Sequence, residues 1–117
     1  MPGKLTTHVL DITIGRPAVG MRIDLFRSVG ARRTLLRSVK TNSDGRLDEP
    51  LLADGRLKRG DYVLLFHVGA YFSARRSPDA RRFLDRVPVA FRVADAARHY
   101  HVPLLVSPWA YSTYRGS

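Results

Sequence analysis

The stretch Leu5-Thr6-Thr7-His8-Val9-Leu10-Asp11-Ile12 decides the fold class of this chain. In an extended strand, its odd-numbered side chains would share one face and its even-numbered side chains the other. The odd face carries Leu5 and Val9, and the even face carries the imidazole of His8. Such an alternation over eight residues predicts a β-strand that packs one face against a core.

The same period of two recurs along the rest of the sequence. It predicts further strands at residues 21–26, 35–39, 62–68, 87–93, 99–106 and 110–114. Clusters rich in Gly, Pro, Asn and Asp separate them, and residues 15–20 are predicted to be a loop. The segment from residue 42 to residue 60 is predicted to be irregular, with at most a short strand.

One segment carries helix signals. Ser77-Pro78-Asp79 offers an N-cap residue, a proline at the first helical position and an acid in the first turn. A short helix over residues 77–84 is therefore predicted, with Phe83 and Leu84 on its buried side. Many short strands and one brief helix are typical of an antiparallel β-sandwich.

Length and composition limit the class of protein. The 117 residues fit a single domain spanning 1–117, and 44% hydrophobic residues are enough for a buried core. With no cysteine, disulfides and thiolate chemistry are excluded. No apolar run approaches the roughly 20 residues of a membrane span, and no secretory signal is recognisable at the start. We expect a cytoplasmic protein without a membrane partner.

The charge balance is strongly basic, with a net charge of +10 and an isoelectric point near 11.0. Such a balance raises the prospect of a nucleic-acid partner. The excess is nearly all arginine, however, and it is scattered along the chain without a basic motif interleaved with aromatic residues. A solvated arginine-rich surface is the favoured interpretation, and attraction of an anionic small molecule stays open.

The sequence offers histidine chemistry and little else. His99 and His101 would share one face of a strand, but no third ligand completes a metal site, and no metal is predicted. Gly-rich phosphate loops and nucleophile elbows are absent from the sequence. Acid–base catalysis by imidazole, supported by arginine, remains. Taken singly, His8 and His101 are better interpreted as hydrogen-bonded structural histidines, and Arg46 could be one more exposed arginine.

Three motifs carry a family resemblance. They are residues 5–11 followed by Gly15-Arg16-Pro17-Ala18, the turn Thr41-Asn42-Ser43-Asp44-Gly45-Arg46, and a closing segment from His99 to Tyr114-Arg115-Gly116-Ser117. Together they resemble the signatures of 5-hydroxyisourate hydrolases in the transthyretin-like family. The similarity covers essentially the whole chain with consistent spacing.

The resemblance implies a fold and an activity. The fold would be a transthyretin-like sandwich of two four-stranded sheets with one short helix. Four copies would assemble as a dimer of dimers, with active sites in the channel between them. The reaction would be hydrolysis of 5-hydroxyisourate, a product of urate oxidation, to 2-oxo-4-hydroxy-4-carboxy-5-ureidoimidazoline. The family uses neither a metal nor an organic cofactor.

The resemblance also assigns residues. Its catalytic positions are His8, Arg46, His101 and Ser117, and the substrate pocket would be formed by His8, Arg46, Tyr114, Arg115, Gly116 and Ser117. One histidine would be the base and the other its partner, with the division of labour open. If Ser117 acts through its hydroxyl or a terminal carboxylate, a tag placed after it should impair activity more than a tag before Met1.

Two alternatives belong to other functional classes. A non-catalytic, transthyretin-like carrier of a small ligand would share the fold, but the hydrolase motifs with His8, Arg46 and His101 argue against it. A nucleic-acid-binding module is favoured by the charge alone, and salt-sensitive retention on DNA without ring-opening activity would support it.

Overall fold

The computed structural model describes residues 2–116. In this part of the chain, short strands dominate and one helix is present. In chain order the elements are β1 (Leu5–Asp11), β2 (Arg16–Pro17), β3 (Arg22–Val29), β4 (Arg32–Lys40), β5 (Gly60–Phe66), α1 (Val68–Ala74), β6 (Val87–Val93), β7 (Tyr100–Val106) and β8 (Tyr111–Thr113).

The strands form two four-stranded sheets, ordered β2-β1-β7-β8 and β4-β3-β5-β6. This confirms the predicted all-β sandwich of two four-stranded sheets with one short helix. The expectation of purely antiparallel pairing is wrong at one place, because β1 and β7 run parallel. A hairpin can join only antiparallel neighbours, and β1 is separated from β7 by the whole second sheet, so no tight turn constrains their relative direction.

The core lies between the two sheets. Its members include side chains from both sheets and from the helix: Leu5, Val9, Ile23, Leu25, Leu64, Phe66, Val68, Phe72, Val93, Val102 and Leu104. Each fully buried aliphatic or aromatic side chain contributes about 1.5–3 kcal/mol relative to an exposed one. On β1 the odd-numbered residues are buried and the even-numbered residues only half-buried, as the alternation predicts. The even face of β1 is therefore left free for a site.

The helix lies elsewhere than predicted. Residues 77–84 form turns, and the positive φ of Arg76 (59°) and Arg81 (63°) interrupts any helix there. The Ser77 hydroxyl accepts a hydrogen bond from the Asp79 amide at 3.3 Å, but it caps a turn. The predicted strand at 62–68 instead ends at Phe66, and α1 follows. A seven-residue helix is marginal by propensity, so burial of its apolar face decides its position.

The remaining strand predictions are confirmed with shifted ends. Residues 15–20, predicted as a loop, contain the two-residue strand β2. The stretch from 42 to 59 is irregular as predicted, apart from a bridge between Leu5 and Leu52, and residue 60 already begins β5. Within the described residues, no helix has the length and apolar character to cross a membrane.

Candidate active site

The parallel pairing of β1 and β7 brings His8 and His101 onto one face. In the register of this pair Thr6 lies opposite His101, and His8 lies opposite Pro103. His8 and His101 are both half-buried and belong to the face turned away from the core. Diagonal neighbours on one face of a sheet lie within reach of long side chains. Two histidines more than ninety positions apart in sequence thus become neighbours.

A tight loop positions Arg46 beside this face. The Asn42 side-chain oxygen accepts hydrogen bonds from the amides of Asp44 (2.9 Å) and Arg46 (3.1 Å), which shapes the turn. The Gly45 carbonyl accepts the amide of Val9 at 2.8 Å and so fastens the loop beside β1. Arg46 follows directly, at the level of His8. The chain can pass so close only because residue 45 is glycine.

The requirement for glycine is geometric. Gly45 has a φ of +70°, and a Cβ atom there would lie 2.5 Å from the Val9 carbonyl oxygen and 2.9 Å from Pro17 Cβ. A larger residue would meet both a left-handed conformation and a backbone clash. The Asn-Ser-Asp-Gly turn predicted from the sequence is therefore the device that positions the guanidinium.

The electrostatics of the site favour neutral imidazoles. Burial and the nearby Arg46 cation lower the pKa of His8, and a hydrogen bond to the Asp44 carbonyl and the Asp44 carboxylate offset part of this. Burial, Arg46 and His8 likewise lower the pKa of His101. The charge of Arg46 therefore acts on both rings. Each imidazole is then unprotonated at neutral pH and able to accept a proton.

Further contacts fix the ring of His101. Its Nδ1 lies 2.8 Å from the Thr6 hydroxyl oxygen. On another side, the Gly116 amide donates to the His101 carbonyl at 2.8 Å, and a Cβ atom at Gly116 would lie 2.5 Å from His101 Cδ2. Sequence reasoning assigned no role to Thr6 or Asn42. The alternation that places Thr6 and His8 on one face was the available signal for Thr6.

The other histidines have structural partners. His67 Nε2 lies 2.8 Å from a carboxylate oxygen of the buried Asp24. Burial raises the pKa of Asp24, but hydrogen bonds from Ser38, His67 and Arg22 outweigh burial and hold this pKa below its usual range. His99 Nδ1 accepts the Lys4 amide at 3.0 Å. His99 is thus engaged away from the site, although it lies only two positions from His101.

The carboxyl-terminal motif meets the site in part. Gly116 contacts His101, whereas Tyr114 is 59% exposed. Arg115 donates from its guanidinium to the His99 carbonyl at 3.0 Å and lies 4.5 Å from the ring centroid of Tyr100. Ser117 lies outside the described residues. The predicted substrate-binding role of this motif stays a prediction.

Two cavities adjoin the segment that follows Arg46. A cavity of about 250 Å³ is lined in part by Thr6, Arg46 and the segment from Leu47 to Pro50. A larger cavity of about 770 Å³ lies elsewhere, along Arg27, Arg37 and Tyr62, and contains none of the predicted site residues. Small-molecule sites usually measure about 300–1,000 Å³. The smaller cavity borders the candidate site, because its lining includes Arg46 and the Thr6 side chain that contacts His101. The two imidazoles are not among its described lining residues.

The fold and the site define a transthyretin-like β-sandwich that carries a histidine pair on the outer face of one sheet and an arginine in the adjoining loop. The sequence matches the HIUase/Transthyretin family over residues 5–116. The chain belongs to this family. Its family membership confirms the resemblance drawn from the three sequence motifs.

Individual relatives agree with the family match. A protein of Rhizobium meliloti (strain 1021) named 5-hydroxyisourate hydrolase 2 is 56% identical over 117 residues, which cover 98% of this chain and 97% of the relative. The solved structure of Klebsiella pneumoniae 5-hydroxyisourate hydrolase has a TM-score of 0.82 at 35% identity, covering 98% of this chain and all (100%) of the other.

A longer protein also contains this fold. The crystal structure of (S)-allantoin synthase has a TM-score of 0.90 at 45% identity and covers 99% of this chain. This chain spans only 44% of that protein's length. The correspondence is therefore with one part of a larger enzyme.

Proposed function

We propose that this protein hydrolyses 5-hydroxyisourate to 2-oxo-4-hydroxy-4-carboxy-5-ureidoimidazoline. The observation that carries the proposal is that the β1–β7 register places two imidazoles on one sheet face, while the turn before Arg46 is fastened beside β1. Relatives at 56% and 35% identity are named for this activity, and they match nearly the whole chain. A carrier of a small ligand has no need of two adjacent neutral imidazoles, so the site favours the hydrolase over the carrier.

The proposed reaction begins with proton removal from water. One imidazole of the pair His8 and His101 accepts the proton while the oxygen attacks the cyclic amide carbonyl. The lowered pKa of each ring supports this role, because a base must be unprotonated at working pH. The carbon–nitrogen bond of the ring then breaks, and the proton passes to the leaving nitrogen. Positioned proton transfer of this kind is worth about 10²–10⁴-fold in rate.

Arg46 has an electrostatic role in the proposal. Attack on the carbonyl develops negative charge on its oxygen, and a guanidinium offers fixed charge with planar donors. Its position beside both imidazoles supports contact with a substrate held between them. Removing one such donor typically costs about 10²–10³-fold in turnover. Ser117, Tyr114 and Arg115 complete the substrate pocket in this proposal.

The assembly is part of the proposal. We expect a homotetramer, a dimer of dimers, with the site enclosed by a second copy. Large apolar side chains in the same sheet and in loops next to it are exposed: Ile12 (46%), Ile14 (43%), Trp109 (51%) and Tyr111 (44%). Exposed apolar groups of this kind mark interaction surfaces when they cluster. Sedimentation equilibrium measures the assembly, and a monomer at assay concentration would contradict it.

The direct test follows the substrate. Urate oxidase generates 5-hydroxyisourate, and its ultraviolet decay is recorded with and without this protein. We expect decay well above the spontaneous rate, and a fall of about 10²–10⁴-fold in kcat for His101→Ala, as for loss of a general base. His99→Ala is the matched control, because His99 lies on the same segment but contacts the Lys4 amide. Spontaneous-rate decay with the unaltered protein would overturn the proposal.

A further inference from the structure

The surroundings of His101 hold its ring at one nitrogen. His101 Nδ1 lies 2.8 Å from Thr6 Oγ1, within the range of a good hydrogen bond. Thr6 and His101 are register partners on neighbouring strands, so the backbone ladder itself aligns the two side chains. This contact occupies Nδ1 and leaves Nε2 as the nitrogen able to exchange a proton with water or substrate.

A hydroxyl can either accept from Nδ1–H or donate to an Nδ1 lone pair. Proton uptake at Nε2 requires the first arrangement, because a neutral imidazole carries one hydrogen and one lone pair, and only the lone pair accepts a proton. With the lone pair on Nε2, Nδ1 carries the hydrogen, and the Thr6 oxygen is the acceptor.

The hydrogen bond from Nδ1–H of His101 to Thr6 is compatible with both protonation states of the ring. When Nε2 takes up a proton, Nδ1 still carries its hydrogen, so the bond to Thr6 need not rearrange. A carboxylate in the same place would favour the imidazolium and raise the basicity of the ring. A neutral hydroxyl orients the ring without that effect. Thr6 is thus suited to hold a base that must be unprotonated before each turnover.

His8 and His101 differ in how their surroundings affect the protonated form of the ring. The backbone and the carboxylate of Asp44 both raise the pKa of His8 and so favour its protonated form. Among the described residues, none makes such a favourable contribution to His101: burial, Arg46 and His8 all disfavour its protonated form. The surroundings of His8 therefore suit an imidazole that carries a proton during part of the reaction, and those of His101 suit the unprotonated base.

We propose that Thr6 is a positioning residue, whose hydroxyl accepts the Nδ1–H of His101 and so dedicates Nε2 of His101 to the abstraction of a proton from water. This rests on the proposed hydrolase function. In the step itself, the water proton goes to Nε2 of His101 and the water oxygen bonds to the carbonyl carbon. The carbon–nitrogen bond of the ring then breaks while the proton passes from His101 by way of His8 to the departing nitrogen, which leaves both imidazoles neutral.

The first measurement needs no substrate. Nitrogen-15 NMR of the imidazoles in the full-length protein distinguishes a ring nitrogen with a hydrogen from one with a lone pair. We expect His101 to carry its hydrogen on Nδ1 in the unaltered protein and in Thr6→Ser. In Thr6→Val and Thr6→Ala we expect a mixture of the two tautomers. A hydrogen on Nε2 in the unaltered protein would overturn the proposal whether or not the chain is a hydrolase.

The second measurement is kinetic. Thr6→Val should lower kcat by about 10- to 100-fold with little change in KM, as for other groups that orient a reacting side chain. Thr6→Ser should restore most of the loss. Thr7→Val is the matched control, because Thr7 belongs to the core-facing side of β1 and donates to the Val102 carbonyl at 2.7 Å. Equal kcat losses in Thr6→Val and Thr7→Val would reduce Thr6 to a structural residue and overturn the proposal.

Discussion

Replacing Gly45 by alanine tests how the site is assembled. The substitution places a Cβ atom 2.5 Å from the Val9 carbonyl oxygen and 2.9 Å from Pro17 Cβ, at a φ of +70°. The left-handed conformation costs about 1–2 kcal/mol for a residue with a Cβ. Relief of the clash requires the loop to leave β1, which breaks the 2.8 Å bond from the Val9 amide. Loss of such a buried bond costs about 1–3 kcal/mol.

The expected loss of unfolding free energy for Gly45→Ala is therefore about 2–5 kcal/mol. Gly30→Ala is the control, since Gly30 has a φ of +60° but nothing within 4 Å of a Cβ atom. It should lose only the conformational part, about 1–2 kcal/mol. Denaturant unfolding followed by circular dichroism measures both losses, provided that protein concentration is kept constant.

Activity separates the two variants further. Because Arg46 follows Gly45 directly, withdrawal of the loop moves the guanidinium away from His8 and His101. A misplacement of about 1 Å in a site can cost about 10²-fold in rate. We expect Gly45→Ala to lose about that much in kcat/KM while Gly30→Ala keeps normal turnover. Equal stability and equal turnover in the two variants would refute the argument that the loop needs glycine to position Arg46.

Two further predictions concern the same groups. In Arg46→Gln, loss of the cation raises the pKa of both histidines towards 6.5. The acid limb of the plot of kcat/KM against pH should therefore move to higher pH. An acid limb that stays in place would exclude electrostatic coupling between Arg46 and the histidines. Gly116→Ala puts a Cβ atom 2.5 Å from His101 Cδ2, which displaces the imidazole ring. We expect kcat to fall at least tenfold, about as for a slightly misplaced base, while the free energy of unfolding stays near normal. An unchanged kcat would show that the reaction tolerates displacement of the ring.

The histidine pair also links stability to pH. The pKa of His101 is 6.5 in the unfolded chain by the reference value and lower in the folded state. The folded state therefore binds this proton less readily than the unfolded state does. The contribution of His101 to the free energy of unfolding is therefore fully present above pH 6.5. It is lost as the pH falls from 6.5 through the pKa of His101 in the folded state.

Much of the site was accessible from local sequence. The alternation in β1 placed Thr6 and His8 on a face away from the core, and the turn residues before Arg46 predicted a tight loop. The sequence predicts the helix in the wrong place, because the cap signals at Ser77 are local, whereas burial of apolar side chains stabilises Val68–Ala74. Cap and turn chemistry is local, whereas a seven-residue helix depends on what covers it.

The sequence by itself determined the all-β class, most strand positions and the identity of the reactive groups, since a period of two and the side-chain types are properties of neighbouring residues. Only the tertiary structure decided that β1 and β7 run parallel, and hence that Thr6 faces His101 across 95 positions of chain. Strand direction and register follow from how two sheets close over a shared core. Local periodicity is the same for a parallel and an antiparallel neighbour, so the meeting of His8, Arg46 and His101 on one face required the folded chain.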